Sequence, residues 1–248
     1  PMIGNLIRSL FIPEEGKHWG CFDYSQQEPR LTVHYSVITQ QDGAEEAALD
    51  YHDDDADFHQ IVADMANISR KEAKIINLGL SYGMGKDKLT SQLGISNEEA
   101  EILFNQYHER VPFVRGLRDS AARQGANRGY VKTILGRKCR FNLYEPHDRR
   151  ETPLPFDKAM DEYGGRLKRA YTYKAMNRLI QGSAADMTKQ AMLDLHEEGL
   201  LAHTQVHDEL NISVTDKKEC EKVVDIMRDC VELKVPNKVD AEIGPSWG

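Results

Sequence analysis

Long apolar runs are absent: nowhere in the 248 residues do about 18 consecutive apolar side chains occur, so no membrane-spanning helix is expected. No basic segment leading into an apolar core opens the chain, so no secretory signal is expected either. Cysteine is scarce. Cys21, Cys139, Cys220 and Cys230 never fall in a CxxC pair, which argues against a zinc site. Scattered thiols without a signal read as reduced, in a cytosolic setting. Excess positive charge is lacking too: 32 Lys and Arg against 40 Asp and Glu leave −8. That total speaks against a nucleic-acid binder, which usually carries a basic surface. Distribution outweighs the sum, however. The acids crowd at Asp50, Asp53, Asp54, Asp55 and Asp57 while the bases gather elsewhere. No internal repeat or low-complexity linker breaks the chain, and 40% hydrophobic with 29% charged residues is an ordinary folded composition.

Spacing supplies the expected elements. Residues 7–24 read as a turn followed by a strand that delivers Asp23 to its end. The acidic stretch 41–57 reads as a loop feeding a helix at Phe58. Ser69 with Glu72 makes a capping box, with Gly83 and Gly85 as the stop. A second helix opens at Ser96 with Glu99, carries Ala100, Leu103, Phe104, Tyr107 and Val111 on one face, and stops at Pro112. Residues 146–165, with prolines and a Gly pair, read as irregular or as an insertion. A long helix is expected over 166–198, ended by Gly199. Residues 200–214 alternate like two strands around a tight turn. Helices grouped around a few strands make the fold α+β rather than a βαβ array.

Two groups of residues could carry chemistry. Arg70, Lys74, Leu78 and Tyr82 recur every four residues and form one slowly drifting helical stripe. Read blandly, this is a solvated basic face running into a buried edge. Read functionally, its cations grip a polyphosphate and its aromatic end packs on a base. Asp23 and Asp208 each follow a short apolar run, and carboxylates brought together from distant segments suit Mg²⁺. Alone, His207–Asp208–Glu209 reads as a polar turn. Three other features carry less. Gly83–Lys86 lacks the spacing of a phosphate loop. His52 and the following acids read as a flexible acidic loop. Ser183 has no activating neighbour at a nucleophile elbow.

Taken together the segments resemble family A DNA polymerases, the bacterial polymerase I family. DYSQQEPR (23–30) resembles its first catalytic motif, RKEAKIINLGLSYG (70–83) its fingers helix, and QVHDEL (205–210) its second catalytic motif. IRSLFIP (7–13), DFH (57–59), YVKTILGRKCR (130–140), NRLIQGSAAD (177–186) and the ending GPSWG add to the likeness. The resemblance implies palm at 1–30, fingers at 31–165 and palm again at 166–248. The palm is an antiparallel sheet bearing the catalytic aspartates, and the fingers are mostly helical. Thumb and exonuclease domains are expected outside this chain, because it begins at Pro1 where the family has upstream segments. The natural product is therefore expected to be larger or completed by a second chain.

The implied activity is template-directed addition of deoxynucleoside triphosphates to a primer 3′-hydroxyl. Two Mg²⁺ ions would bind Asp23, Asp208 and the Tyr24 carbonyl, with Glu209 in support. Arg70, Lys74 and His59 would hold the triphosphate, Lys74 also as proton donor to pyrophosphate. Glu28, Gln26, Leu78 and Tyr82 would line the nucleotide site, and Asn177, Gln181, His207 and Arg137 would contact primer–template DNA. The source would be a bacterium or a phage, and the location the cytoplasm of the bacterial or infected cell. Three positions depart from the family pattern: Leu78 where Phe or Tyr is commoner, Pro29 where Leu is usual, and Tyr173 where many members have Arg. Two rival readings stay open. One is a single-subunit RNA polymerase relative, opposed by Glu28. The other is a non-catalytic fragment that binds primer–template or a partner chain.

Overall fold

A computed structural model describes residues 2–51, 57–66, 68–81, 90–91 and 93–248. The chain divides into two compact units, one of Pro1–Arg30 with Ala184–Gly248 and one of Leu31–Ser183. In the first, helix α1 (Met2–Arg8) leads through a turn into strand β1 (His18–Tyr24). Alternation along β1 sends Phe22 and Tyr24 to a buried face and Asp23 to the opposite, exposed one. Helix α2 (Gln27–Ile38) follows almost at once. Pro29 does not delay it, because a first-turn N–H has no helical partner to lose. The Arg30 N–H closes that turn on the Gln26 carbonyl at 3.0 Å.

The second unit corrects three expectations. Residues 41–57 are not all loop, since helix α3 (Ala44–Asp50) lies within them and buries Ala44, Ala47 and Ala48. Its hydrophobic face is made of alanines, which hide in an acidic background. Helix α4 (Phe58–Ala66) starts at the expected residue. Helix α5 (Arg70–Ser81) opens on the expected box: the Ser69 N–H donates to Glu72 Oε2 at 2.8 Å and the Glu72 N–H to Ser69 Oγ at 3.3 Å. Gly83, Gly85 and the His52–Asp55 segment lie outside the described residues. Helix α6 (Asn97–Arg110), capped by Ser96 and Glu99, buries Ala100, Leu103 and Tyr107. Pro112 is a start as well as a stop: it opens α7 (Pro112–Arg128), where its missing N–H costs nothing.

Strands β2 (Tyr130–Lys132) and β3 (Lys138–Arg140) form a hairpin. Residues 146–165 are the second correction. They contribute to an ordered module of β4 (Leu143–Pro146), β5 (Leu154–Pro155), α8 (Phe156–Tyr163) and β6 (Leu167–Arg169), with strand order β5-β4-β6. The Arg169 guanidinium lies 4.9 Å over the Tyr144 ring, clamping β6 to β4. The third correction is the long helix, α9 (Ala175–Glu197), which starts nine residues later than 166. Strand β6 and a 3-10 turn at Thr172–Lys174, entered through Tyr171 at φ 60, occupy the intervening chain. Gly199, at φ +78, ends α9 as expected.

The first unit then resumes with β7 (Ala202–Val206), β8 (Glu209–Val214), α10 (Lys217–Asp229) and β9 (Val239–Gly244). Its antiparallel sheet runs β7-β8-β1-β9. Phe22, Leu210, Ile212 and Val214 are buried with Val223 and Met227 of α10. Each such side chain contributes about 1.5–3 kcal/mol on leaving water. The expected α+β class is what the chain forms. Leu6, Ile7, Leu10, Phe11 and Ile12 remain exposed. Among the described residues no helix is long and apolar enough to cross a membrane.

Candidate active site

Strand register builds an acidic row. Asp23 of β1 stands opposite Glu209 of β8 on one side and Asp240 of β9 on the other. Residues directly opposite share a sheet face, with Cβ atoms about 4.5–5.5 Å apart. Asp208 joins them from the tight turn between β7 and β8. His207 takes φ 56 there, and its carbonyl accepts the Gln205 side-chain amide at 2.9 Å.

The electrostatics follow from this crowding. Partial burial against the sheet, then repulsion from Asp208, Glu209 and Asp240, push the Asp23 carboxyl up to about 6; among the described residues every charge acting on it is negative. Burial raises Asp208 as well. A backbone hydrogen bond and His207 pull it back, and Glu209 pushes it up. A site of this kind gains on binding a cation.

Glu209 is firmly held. Its Oε1 accepts the Asn211 amide at 2.8 Å and the Trp247 indole N–H at 3.0 Å. Tyr24 turns its side chain to the other face, where its hydroxyl donates to the Met227 carbonyl at 2.6 Å. Only its main chain is left for the role expected of it. Gln26, at φ 56, makes the turn between β1 and α2, and Glu28 lies half-buried in the first turn of α2.

No group of three or more His, Cys, Asp or Glu side chains among the described residues is arranged to hold a metal. Asp23 and Asp208 nonetheless fit Mg²⁺, which takes one or two carboxylates and completes its shell with water and phosphate oxygens.

The second unit carries the cations. Arg70 donates from Nε to Asp57 Oδ2 at 2.6 Å, with Nη2 also 2.6 Å from that oxygen. Asp57 in turn accepts the backbone N–H groups of His59 and Gln60 at 2.9 and 3.3 Å, capping α4. Lys74 is exposed one turn further along α5. His59 is buried and pinned: Tyr107 donates to Asn77 Oδ1 at 2.8 Å, so the Asn77 amide donates to His59 Nδ1 at 3.0 Å. The ring proton therefore rests on Nε2. Burial holds this imidazole below its usual range; Asp57 opposes that shift, and Arg70 and Lys74 reinforce it. The Leu78 side chain and all of Tyr82 lie outside the described residues.

Asn177 and Gln181 sit one turn apart on α9, half-buried and exposed respectively. Arg137, at the β2–β3 hairpin, donates to the Gly182 carbonyl at 2.7 Å. A Cβ on Gly182 would meet Thr133 Cγ2 at 2.7 Å, so only glycine lets the hairpin lie this close to α9.

The first unit thus unites Asp23, Asp208, Glu209 and His207, and the second unites Arg70, His59 and Lys74. Sequence reasoning missed Asp57 as Arg70's partner, Asp240 in the acidic row and Trp247 on Glu209. The alternation in VDAEIG places Asp240 on a polar face, but only pairing with β1 puts it beside Asp23.

The chain matches the DNA polymerase family A model over residues 2–248. It is 38% identical to a DNA-directed DNA polymerase of Pseudomonas phage M6, over 97% of this chain and 40% of that protein. It is 36% identical to DNA polymerase I of Geobacillus stearothermophilus, over 98% and 27% respectively. Among solved structures it superposes on the POL domain of Pol1 from M. smegmatis, in complex with DNA primer-template and dNTP. That match has a TM-score of 0.78 at 29% identity and covers 100% of this chain and 43% of the other. The chain therefore spans between about a quarter and somewhat under half the length of these relatives, and it belongs to DNA polymerase family A.

Proposed function

We propose that this chain carries out template-directed DNA synthesis, extending a primer 3′-hydroxyl with deoxynucleoside triphosphates and two Mg²⁺ ions. The observation that carries the reading is the row in which Asp23 faces Asp208, Glu209 and Asp240, with no cation beside it among the described residues. Bound there, the metal ions would lower the pKa of the primer hydroxyl and steady charge on the transferring phosphoryl group and pyrophosphate. Asp23, Asp208 and the Tyr24 carbonyl would hold them, and Glu209 would support that pair.

Arg70 keeps free N–H donors on Nη1 and Nη2 beyond its bond to Asp57, enough to bind phosphate oxygens while Asp57 orients it. Lys74 serves the same phosphates and donates a proton to pyrophosphate. His59, neutral with its proton on Nε2, donates a hydrogen bond rather than a charge. Glu28, Gln26, Leu78 and Tyr82 line the sugar and base, while Asn177, Gln181, His207 and Arg137 meet the primer–template. In this reading residues 1–30 and 166–248 act as palm and 31–165 as fingers. The exposed side chains of Leu6, Ile7, Leu10, Phe11 and Ile12 suit cover by an upstream polymerase segment or a second chain.

Primer extension by this chain with Mg²⁺ and four deoxynucleotides, beside Asp208→Ala, tests the reading. Losing several kcal/mol of charge stabilisation predicts a fall of about a thousandfold or more. Extension that survives the substitution overturns the metal role. A folded chain that binds primer–template without extending it favours the binding-fragment reading.

A further inference from the structure

The acidic row contains one carboxylate treated differently from the rest. Asp23 is surrounded by negative charge, whereas one oxygen of Glu209 is taken by two N–H donors. Those donors are themselves anchored. Asn211 is fully buried, and its Oδ1 accepts the Trp19 indole N–H at 2.8 Å and the Cys21 thiol at 3.2 Å, which leaves its amide nitrogen to Glu209. Trp247 stacks edge-on against Phe11 with ring centroids 5.4 Å apart, lies under the Arg8 guanidinium at 4.9 Å, and donates its backbone N–H to the Phe11 carbonyl at 3.0 Å. The chain has only two tryptophans, and both belong to this relay. Asn211 and Trp19 come from adjacent strands, while Trp247 reaches the same oxygen from beyond the end of β9.

We propose that Asn211 and Trp247 are positioning residues that lock Glu209, so that its charge stays fixed beside Asp23 and strengthens the hold of the aspartate pair on divalent cations. The proposal rests on the metal reading of Asp23 and Asp208 and adds residues that reading does not include. With both donors on Oε1, Oε2 is the oxygen left to face the cation site, either directly or through a bound water. A carboxylate free to rotate would spread its charge over many orientations and pull away from its like-charged neighbours. Outer partners of this kind typically alter metal affinity by about 10–100-fold.

Trp247→Phe removes the donor while keeping an aromatic ring for Phe11 and Arg8; the smaller ring also loses packing, and the Glu209→Gln background below separates that loss from the loss of the indole N–H. Calorimetric titration with Mn²⁺ alone, in the absence of nucleotide, should show about a tenfold weaker affinity than the unaltered chain. The thermal midpoint serves as a control on folding. The same substitution made in a Glu209→Gln background should then have no further effect, since the charge being positioned is gone. An equal loss in both backgrounds, or none in either, overturns the proposal.

A second readout needs no metal. The Trp247 indole N–H resonance, assigned with Trp19→Phe, should move when Glu209 becomes Gln. A resonance that stays in place overturns the contact itself. If the unaltered chain binds no Mn²⁺ the metal reading fails, and a resonance that still responds to Glu209→Gln then marks a contact without the proposed role.

Discussion

The two units handle charge in opposite ways. In the sheet unit, acids face one another, and among the described residues no cation answers Asp23. In the helical unit, Arg70 is already paired with Asp57, and His59 is buried, hydrogen-bonded and held neutral. One site carries repulsion that a cation would relieve, and the other carries cations whose geometry is set in advance. Repulsion in the first lowers the stability of the metal-free fold. Pairing in the second costs little, because an exposed ion pair contributes only about 0–1 kcal/mol. In the proposed reading, cation binding would draw on relief of repulsion in one unit and phosphate binding on preorganisation in the other.

Asp23→Asn is the sharpest probe of that contrast. Extension should fall about a thousandfold or more, as for Asp208→Ala. The same substitution should raise the thermal midpoint of the metal-free chain at pH 7. The sign follows from the elevated Asp23 pKa: its contribution to stability is fully present below about 4, the value for an unfolded Asp, and is lost as pH rises through about 6. The advantage of the variant should thus shrink toward pH 4 and should also disappear at saturating Mg²⁺. An unchanged midpoint at pH 7 would mean the repulsion is screened and the contrast between the units is weaker than drawn.

A second probe concerns the helical unit. His108 buries both ring nitrogens without a hydrogen-bond partner, against Phe104 at 4.3 Å between centroids. Burial, then the nearby Arg118 and Arg115, depress its pKa to about 4, with Asp119 opposing them. A depressed histidine stabilises above its unfolded value of about 6.5, and that contribution is lost as pH falls toward 4. His108→Leu should therefore flatten the loss of stability between those limits, read by circular dichroism during an acid titration. Asp23 and His108 would then respond to acid in opposite directions.

Asp57→Asn should do less. Asparagine still caps α4, so unfolding free energy should fall by no more than about 1 kcal/mol. Arg70 would lose its charged partner, and inorganic triphosphate should bind this variant more weakly because the guanidinium is no longer oriented; tighter binding would mean that the pairing restrains Arg70 instead. Ser69→Ala should cost about 0.5–2 kcal/mol through loss of the α5 cap, read in the unfolding free energy, with the sheet unit untouched and no effect on triphosphate binding beyond that loss.

The elements that carry the candidate site are largely legible in the sequence. Local rules place Asp23, Asp208 and the Arg70–Lys74 stripe on a strand end, a tight turn and a capped helix, whereas their roles are implied only by the resemblance to family A polymerases. Both capping boxes and the Gly199 stop are likewise local, made by side chains within a few residues of the backbone they serve. The same rules miss α3, whose core face is only alanine, and α7, because a proline that ends one helix equally suits the beginning of the next. The module at 143–169 was illegible for a different reason. Its strands are two to four residues long and are held by pairing and by Arg169 over Tyr144 rather than by any periodic pattern.

The sequence alone determined which residue types were available for metal and phosphate chemistry and which helices and strands would present them, since those depend on neighbours along the chain. Tertiary structure decided the rest. The antiparallel register sets Asp240 opposite Asp23, the return of β9 carries Trp247 to Glu209, and the packing of α4, α5 and α6 pins His59 through Asn77 and Tyr107. Each of these joins residues from separate elements, and hydrogen bonds and repulsion act over a few ångströms of space regardless of separation in sequence.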